Sequence, residues 1–346
     1  MGKRWCICFL LSLVLLLLGF GSVNFIIDPM FHYRKPMDSL AYMIYMDRYQ
    51  NDGIGKHFDY DGLITGSSMT ENFKTSEMDA LFGTKSVKVA FPGASYRELG
   101  ENLGRALKAN PKLKTVVWGL DYNNFFADYD AMSYEDYPTY LYDNNPLNDV
   151  NYLFNKEILI KNSYMNVLIY TKEGGVTTDF DSYANWNDKF DYGKEEVLAT
   201  VIRPERQEDK AYTPFDSRNI EINVLSLAEK YPDVDFYLFW TPYSIVWFDY
   251  YNQNGELKNI LKWEKEALEL MLPYENIRFY SFNDDFDITT NLDYYKDIVH
   301  YSEDINSYIL KCMAENEHRL TLDNYGEYWE KEWDFYTNYD YDSIYA

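Results

Sequence analysis

Short apolar runs alternate with longer amphipathic stretches through much of this chain. Five runs have the length of buried strands and end at turn or polar residues; they occupy residues 62–65, 87–91, 115–120, 235–240 and 277–282. Several stretches between and after them repeat apolar residues three and four positions apart, at 96–107, 220–228, 257–271 and 305–313. This spacing places apolar side chains on one face of an α-helix. The alternation predicts βαβ units in a three-layer α/β/α sandwich around a parallel five-stranded sheet.

Residues 125–219 do not follow the alternation. One helix is predicted inside them, with Val150, Leu153, Phe154 and Ile158 on one face, among loops rich in Tyr, Asp and Asn. Long excursions inside a compact domain are usually lids or binding loops. We therefore predict that this segment is an insertion after the third strand, folded over the carboxyl edge of the sheet.

The N-terminus carries a nearly uncharged apolar run at residues 5–27, preceded by Lys3 and Arg4. As a helix it is about 34 Å long, enough to cross the hydrocarbon layer of a membrane. A cleaved signal peptide is the alternative, because Gly19 and Gly21 form a cleavage-like pattern, but apolar residues resume after them. Basic residues lie close on both sides of the run, so charge alone does not orient it. Its extreme N-terminal position favours a single-pass signal-anchor with the folded domain outside the cytoplasm.

We therefore divide the chain into three parts. Residues 1–27 are the predicted signal-anchor, 28–322 the α/β domain with its insertion, and 323–346 an acidic, aromatic C-terminal tail without a clear period.

The amino-acid composition limits the classes of molecule that the protein is expected to bind. The 346 residues include 56 Asp and Glu against 32 Lys and Arg, a net charge of −24, which disfavours nucleic acid. Aromatic residues make up 18%, and Tyr and Trp at that density either line a sugar-binding cleft or simply pack the core. Trp240 and Tyr243, with aromatics of the insertion, are candidates for a sugar-stacking wall that admits neutral or amino-bearing glycans.

Cysteine and histidine usage limits the chemistry further. Cys312 has no partner cysteine in the folded part, so no disulfide framework is expected. None of the four histidines stands at metal-ligand spacing from other donors, and a phosphate-binding glycine loop is missing from the sequence. We expect neither a metal nor a cofactor.

Candidate chemistry is sought just beyond the predicted strands, because ligands of parallel α/β sheets bind at the carboxyl ends. The polar or glycine residues that stand at these positions are Ser67, Ser68, Gly93, Asp121, Asn123, Tyr243, Asp297 and His300. A serine hydroxyl becomes a nucleophile when a base takes its proton, and an imidazole needs a partner to fix its tautomer. Asp297 and His300, three residues apart, could form such a pair facing Ser68, with backbone N–H groups of Ser68 and Gly93 holding an oxyanion.

Taken singly, these motifs have plainer interpretations. A Gly-Ser-Ser sequence after a strand is commonly a turn with a helix N-cap, and an acidic chain places an Asp near a His by chance. Their order along the chain and their placement at successive strand ends favour the catalytic interpretation.

The motifs "GSSM", "FPGAS", "GLDYNNF" and Asp-x-x-His resemble, in this order, the blocks of the SGNH/GDSL hydrolase superfamily. The resemblance implies a flavodoxin-like SGNH fold, Ser68 as nucleophile, His300 as base and Asp297 as its partner. It also implies that Gly93 and an Asn of the third block line the oxyanion hole. Asp121 stands where the family has that Asn, so we take Asn123 as its substitute, and we add Tyr243 as a substrate-binding residue.

With an N-terminal anchor, the chain is similar to the branch of envelope proteins that includes the D-alanyl-lipoteichoic acid transfer protein and alginate acetylation proteins. The resemblance implies an esterase or O-acyltransferase that acts through an acyl-serine on a cell-envelope glycan or acylated polymer. It also implies a membrane-bound acyl-donor protein as a partner. One alternative is a catalytically inactive glycan-binding or scaffold protein, which Asp121 favours because a carboxylate opposes an oxyanion. A glycosidase is a third interpretation, although no pair of carboxylates stands out by its spacing.

Overall fold

A six-stranded, mostly parallel sheet organises the protein in a computed structural model that describes residues 2–134 and 137–346. The strands are β1 (Gly62–Gly66), β2 (Ser86–Ala90), β3 (Thr115–Leu120), β4 (Asp235–Trp240), β5 (Ile277–Tyr280) and β6 (Arg319–Leu320). Their order in the sheet is β2-β1-β3-β4-β5-β6. The first five are parallel and confirm the predicted runs. The prediction of five strands is corrected by β6, a two-residue strand antiparallel to β5 and too short to give a sequence pattern.

Helices cover the sheet on both faces. The α-helices are α1 (Gly2–Ile27), α2 (Asp47–His57), α3 (Thr75–Phe82), α4 (Tyr96–Ala109), α5 (Tyr122–Phe125), α6 (Val150–Leu153), α7 (Tyr170–Lys172), α8 (Lys194–Ala199), α9 (Arg218–Ile220), α10 (Ser226–Lys230), α11 (Ile245–Gln253), α12 (Leu257–Met271), α13 (Phe286–Thr289), α14 (Glu303–Glu315) and α15 (Tyr325–Asn338). Two segments are π-helical, Ile158–Ile169 and Glu221–Leu225.

The chain places β2 on one side of β1 and β3 on the other side, so the direction in which strands are added to the sheet reverses after β2. This reversal determines which face of the sheet each connecting helix covers. Right-handed crossovers place α3, between β1 and β2, on the opposite face from α4, between β2 and β3. Consistently, α3 contacts α14, whereas α4 contacts α2. The reversal lies at β1 and β3, whose carboxyl ends are therefore the expected place for a ligand.

The N-terminal helix α1 is long and apolar enough to span a membrane or to act as a signal anchor, with a mean hydropathy of 2.6 over its most apolar window. Its last turns are joined to the body. The buried Asn24 donates to the main-chain carbonyl of Leu153 (3.0 Å) and accepts from the hydroxyl of Ser163 (2.8 Å). Just after the helix, Asp28 accepts three successive main-chain N–H groups, from His32 to Arg34, and the hydroxyl of Tyr152 (2.8 Å).

The insertion contains short helices rather than the single helix predicted around residues 150–158. Helix α6 ends at Leu153, and Asn155 then starts the next segment, because its side-chain oxygen accepts the N–H groups of Glu157 and Ile158. Of the predicted apolar face, Ile158 is buried, whereas Val150 and Phe154 are exposed. Residues 135 and 136 of the insertion lie outside the described part of the chain.

The C-terminal segment 323–346, which shows no clear period in sequence, forms α15, and this helix packs against α12. Glu264 of α12 and Glu332 of α15 are both fully buried there. The hydroxyl of Tyr328 donates to Glu264 (2.9 Å). Burial raises the pKa of both carboxyls, and the Coulomb repulsion of Glu264 raises that of Glu332 further. The pair therefore holds a proton in the folded state.

Candidate active site

Ser68 is presented at the carboxyl end of β1 by a sharp turn. Gly66, the last residue of the strand, has φ +152, and a Cβ there would lie 2.5 Å from the side chain of Thr70. Only glycine fits this corner. Ser67 then caps a short 3-10 turn, Ser68–Thr70, by accepting the N–H of Met69 (3.4 Å). The turn leaves Ser68 partly exposed, facing the loop before α14.

The structure brings the three predicted catalytic residues into one hydrogen-bonded chain. The Ser68 Oγ lies 2.7 Å from the Nε2 of His300. The Nδ1 of His300 lies 2.8 Å from the Oδ2 of Asp297. This is the arrangement that a base needs in order to take the serine proton while a carboxylate fixes its tautomer. Ser68 and His300 are 232 positions apart in the sequence.

Asp297 is held by four donors. Its Oδ1 accepts the main-chain N–H groups of Val299 (2.9 Å) and His300 (2.8 Å), and its Oδ2 also accepts the Nζ of Lys296 (2.8 Å). Burial on its own would raise the pKa of Asp297, but hydrogen bonds from His300 and Lys296 hold it well below its usual value. The group is therefore a carboxylate at neutral pH, able to stabilise an imidazolium.

Asp121, at the carboxyl end of β3, is buried and turned towards Ser67. The Ser67 hydroxyl donates to its Oδ2 (2.6 Å), and the N–H of Asn123 lies 3.2 Å from its Oδ1. Both carboxylate oxygens therefore have protein donors. Burial raises the pKa of Asp121, and these hydrogen bonds oppose the rise.

The predicted oxyanion donor Gly93 lies in the turn after β2. It has φ +66, follows Pro92, and a Cβ there would meet open space. The guanidinium of Arg48 donates to the carbonyl of Pro92 (2.8 Å) and to the buried carboxylate of Glu98 (2.7 Å). Because the C=O and N–H of one trans peptide point in opposite directions, Arg48 fixes the direction of the Gly93 N–H.

Of the two remaining predicted binding residues, Asn123 lies at the surface and Tyr243 lies in the core. Asn123 is exposed, and its Oδ1 accepts the indole N–H of Trp247 (3.2 Å), which leaves its amide NH₂ free to donate. Tyr243 is fully buried, with its ring against Trp247 (centroids 5.2 Å apart). Helix α11 begins immediately after Tyr243 and draws the ring into the core, so it does not line the cleft. Trp240 is equally buried, and the predicted wall from these two residues is corrected.

The insertion instead supplies Trp186. Its indole N–H donates to the carbonyl of Ser68 (3.3 Å), and its ring meets that of His300 edge-on, with centroids 5.5 Å apart. The neighbouring Asn187 accepts the first N–H of α14 (2.9 Å). The insertion therefore reaches the carboxyl edge and closes one side of a cleft of about 460 Å³. Tyr45 and Phe190, 46% and 52% exposed, line the same cleft.

A buried lysine supports the nucleophile turn from below. Lys88, on β2, is fully buried and donates to the main-chain carbonyls of Glu71 and Phe73 (2.8 Å to the latter). Burial lowers the pKa of Lys88 to about 7. Burial, reinforced by the charge of Asp47, raises the pKa of the Glu71 carboxyl at the cleft wall to about 8, so that carboxyl is largely neutral at pH 7. A neutral carboxyl can donate a hydrogen bond to a substrate.

Sequence reasoning missed Trp186, Lys88, Arg48 and Glu71. Only Lys88 left a signal in the sequence, because a lysine inside the apolar run 87–91 must find buried acceptors. Trp186 lies in a segment without a period, and its contacts with the site span more than a hundred residues.

Comparison with known proteins adds one loose structural likeness. No protein-family model matches the chain, and no curated protein matches it. Among solved structures the chain is similar to one described as "a putative platelet activating factor from Streptococcus pneumonia", at 16% identity and a TM-score of 0.39. The match covers 78% of this chain and 89% of the other. At this TM-score the overlap is too loose to transfer a function.

Proposed function

We propose that this protein is a membrane-anchored, extracytoplasmic serine esterase or O-acyltransferase of the SGNH type that acts on a cell-envelope polysaccharide or related polymer. The observation that carries the proposal is the continuous chain from Ser68 through His300 to Asp297, with contacts of 2.7 and 2.8 Å. It lies at the carboxyl edge of a doubly wound sheet, beside the reversal of strand order, where ligands bind in such folds.

The proposed reaction begins with proton transfer from the Ser68 hydroxyl to the Nε2 of His300. The serine oxygen forms a bond to the carbonyl carbon of an ester, and the negative charge moves to the carbonyl oxygen. The N–H groups of Ser68 and Gly93, with the amide of Asn123, are the candidate donors to that oxygen. His300 then protonates the departing alcohol, which leaves an acyl-serine. Asp297 stabilises the imidazolium in both proton transfers.

A second hydroxyl resolves the acyl-serine. Water gives hydrolysis, and a sugar hydroxyl gives transfer with release of Ser68. We favour transfer, because an enzyme anchored beside the membrane suits the acyl modification of polymers as they are exported. Exposed aromatic rings on the cleft wall support a sugar substrate, since the apolar faces of sugars stack on such rings. Tyr45 and Phe190 are the exposed aromatics beside Ser68. A membrane-bound acyl-donor protein would supply the ester, and no cofactor enters the reaction.

One observation favours a second candidate, an inactive glycan-binding or scaffold protein of the same fold. The acid of Asp121 is near the site, and a negative charge there opposes an oxyanion. Against this candidate, each of its oxygens already accepts a protein hydrogen bond, from Ser67 or Asn123, and burial raises the pKa of the group. Asp121→Asn separates the two: a large gain in serine reactivity would show that the native protein is suppressed by this charge.

The decisive experiment is covalent labelling of the full-length protein with a fluorophosphonate, which reacts with activated serines. Labelling should occur on Ser68, should be absent in Ser68→Ala and should be strongly reduced in His300→Ala, because the serine loses its base. His57→Ala is the matched control, since His57 lies in α2 and bonds only to the carbonyl of His32 (3.1 Å). Equal labelling of the wild type and Ser68→Ala would refute the assignment.

A further inference from the structure

A patch of exposed apolar side chains lies beside the end of the N-terminal helix, on α6 and the π-helical segment Ile158–Ile169 with their flanks. Its members are between 41% and 81% exposed, and they are Leu147, Val150, Phe154, Ile160, Tyr164 and Met165. The opposite side of the π-helical segment is buried, so the apolar residues are the part that faces away from the body. Both elements pack against α1, and exposed apolar side chains grouped on neighbouring elements mark an interaction surface.

The length of α1 indicates what covers this patch. Only residues 5–19 of the apolar run are exposed throughout, and as a helix they span about 22 Å. The hydrocarbon layer of a bilayer is about 30 Å thick, so the next turns of α1 must also enter it. In those turns Gly21 lies against the ring of Phe154, and Asn24 bonds to the carbonyl of Leu153. The body around residues 150–165 therefore sits at the depth of the outer lipid layer.

The charges near the patch fit an interfacial position. In a chain of net charge −24, the segment from Leu147 to Glu173 is balanced: three exposed lysines, Lys156, Lys161 and Lys172, stand with three acids, Asp149, Glu157 and Glu173. Lysines beside apolar side chains, with an exposed tyrosine such as Tyr164, are typical of segments that lie in the headgroup region.

We propose that the patch is a lipid-docking surface that inserts into the outer face of the same membrane that α1 crosses. The inference rests on the membrane anchoring in the proposed function and adds a second, lateral contact with lipid. It also brings the cleft close to the bilayer. Tyr45, on the cleft wall, donates its hydroxyl to Asn162 (2.6 Å) and accepts the amide of Asn166 (2.6 Å), and both belong to the π-helical segment. The substrate class that fits is a polymer or lipid-linked glycan held near the membrane surface.

The test places an environment-sensitive fluorophore on single cysteines of the full-length protein in nanodiscs of phosphatidylcholine and phosphatidylglycerol in equal parts. Met165→Cys reports the patch, and Leu322→Cys is the matched control, an exposed apolar residue near the C-terminus. Cys8, exposed on α1, reports the anchor itself, with the other exposed cysteine replaced by serine. The loss of fluorescence caused by nitroxide-bearing lipids then reports whether the fluorophore at each position contacts lipid.

We expect a blue-shifted emission and strong loss of fluorescence on nitroxide lipids at positions 165 and 8, and neither at 322. If position 8 is quenched while 165 behaves like 322, the docking surface is wrong although the anchor stands, and a protein partner becomes the occupant of the patch. If position 8 is not quenched, the membrane anchoring itself fails, whatever the reactivity of Ser68. The double variant Ile160→Ser, Tyr164→Ser keeps the contacts of Gly21 and Asn24 with the body, so it should weaken the quenching at 165 while its fluorophosphonate labelling stays at the wild-type rate.

Discussion

Replacing Asp297 by Asn should invert the protonation of the imidazole while keeping the loop in place. The Oδ1 of Asp297 accepts two main-chain N–H groups, those of Val299 and His300, and these cannot turn away. The single oxygen of Asn must therefore stay on that side, and its NH₂ replaces the Oδ2 that faces the Nδ1 of His300. The Nδ1 then faces an N–H donor at its shorter contact and keeps an oxygen only at the longer contact of 3.0 Å on the Oδ1 side, so the tautomer with its proton on Nε2 is favoured. The proton moves to Nε2, which can no longer accept from Ser68.

The magnitude follows from two losses. The first loss is the charge-assisted hydrogen bond to the imidazolium, which contributes about 1.5–3 kcal/mol. The second arises if the imidazole returns to the tautomer that can accept from Ser68: its Nδ1–H then faces the NH₂ of Asn, and this unsatisfied buried donor costs about 1–3 kcal/mol. Together they predict a roughly 10²- to 10⁴-fold fall in the rate of labelling by a fluorophosphonate, since about 1.4 kcal/mol is tenfold. Asp293→Asn, an exposed acid on the same loop, should leave the rate unchanged. A rate for Asp297→Asn within threefold of the wild type would show that the base does not depend on this carboxylate.

Three further changes test the surroundings. Lys88→Met removes the hydrogen-bond donor to two buried main-chain carbonyls and should lower the free energy of unfolding by about 2–6 kcal/mol in urea titrations. An unchanged urea midpoint of unfolding would show that Lys88 does not stabilise the turn that carries Ser68. Glu332→Gln removes a carboxyl whose pKa is raised by burial and by Glu264. Such a group stabilises the fold below its unfolded-state pKa of about 4.3 and loses this stabilisation as pH rises, so the variant should gain stability over wild type as pH rises above that value. A pH-independent difference in thermal unfolding would contradict the shared proton. Trp186→Phe keeps an aromatic ring but loses the N–H that donates to the carbonyl of Ser68, so fluorophosphonate labelling should slow about two- to tenfold. A fall in labelling rate as large as that of His300→Ala would mean that the ring no longer holds its position beside His300.

The parallel strands could be predicted because buried strands of such sheets are continuous apolar runs, and those of this chain end at Gly66, Gly93 or polar residues. The helices with a regular spacing, such as α12, were predicted for the same reason. The α15 helix could not be, because its aromatic residues occupy several faces, and only contact with α12 selects which are buried. The pairing of β6 depends on a chain reversal that leaves no local pattern.

For the site, the rule that ligands bind beyond the carboxyl ends of parallel strands led us to expect Ser68, Asp297 and His300 close together, and their side chains do form one hydrogen-bonded chain. The same rule misplaced Tyr243, because this residue lies in the connection between β4 and α11 and its ring packs against Trp247 in the core rather than lining the cleft. The catalytic role of the three residues stays a prediction until the labelling is done.

The hydrogen bonds that tie Asn24 and Asp28 to the body remove any flexible tether between α1 and the α/β domain. An enzyme on a long flexible tether can reach a wide volume above the membrane and contact a polymer at any point along its length. If α1 crosses a membrane as proposed, this join keeps the cleft at one fixed height above it, and encounters with substrate depend on lateral diffusion in the membrane plane. A long polymer anchored at the surface would then carry its modifications mainly on the units nearest its base, and a pattern that is uniform along the polymer would require the chain to pass this height while it is being extended.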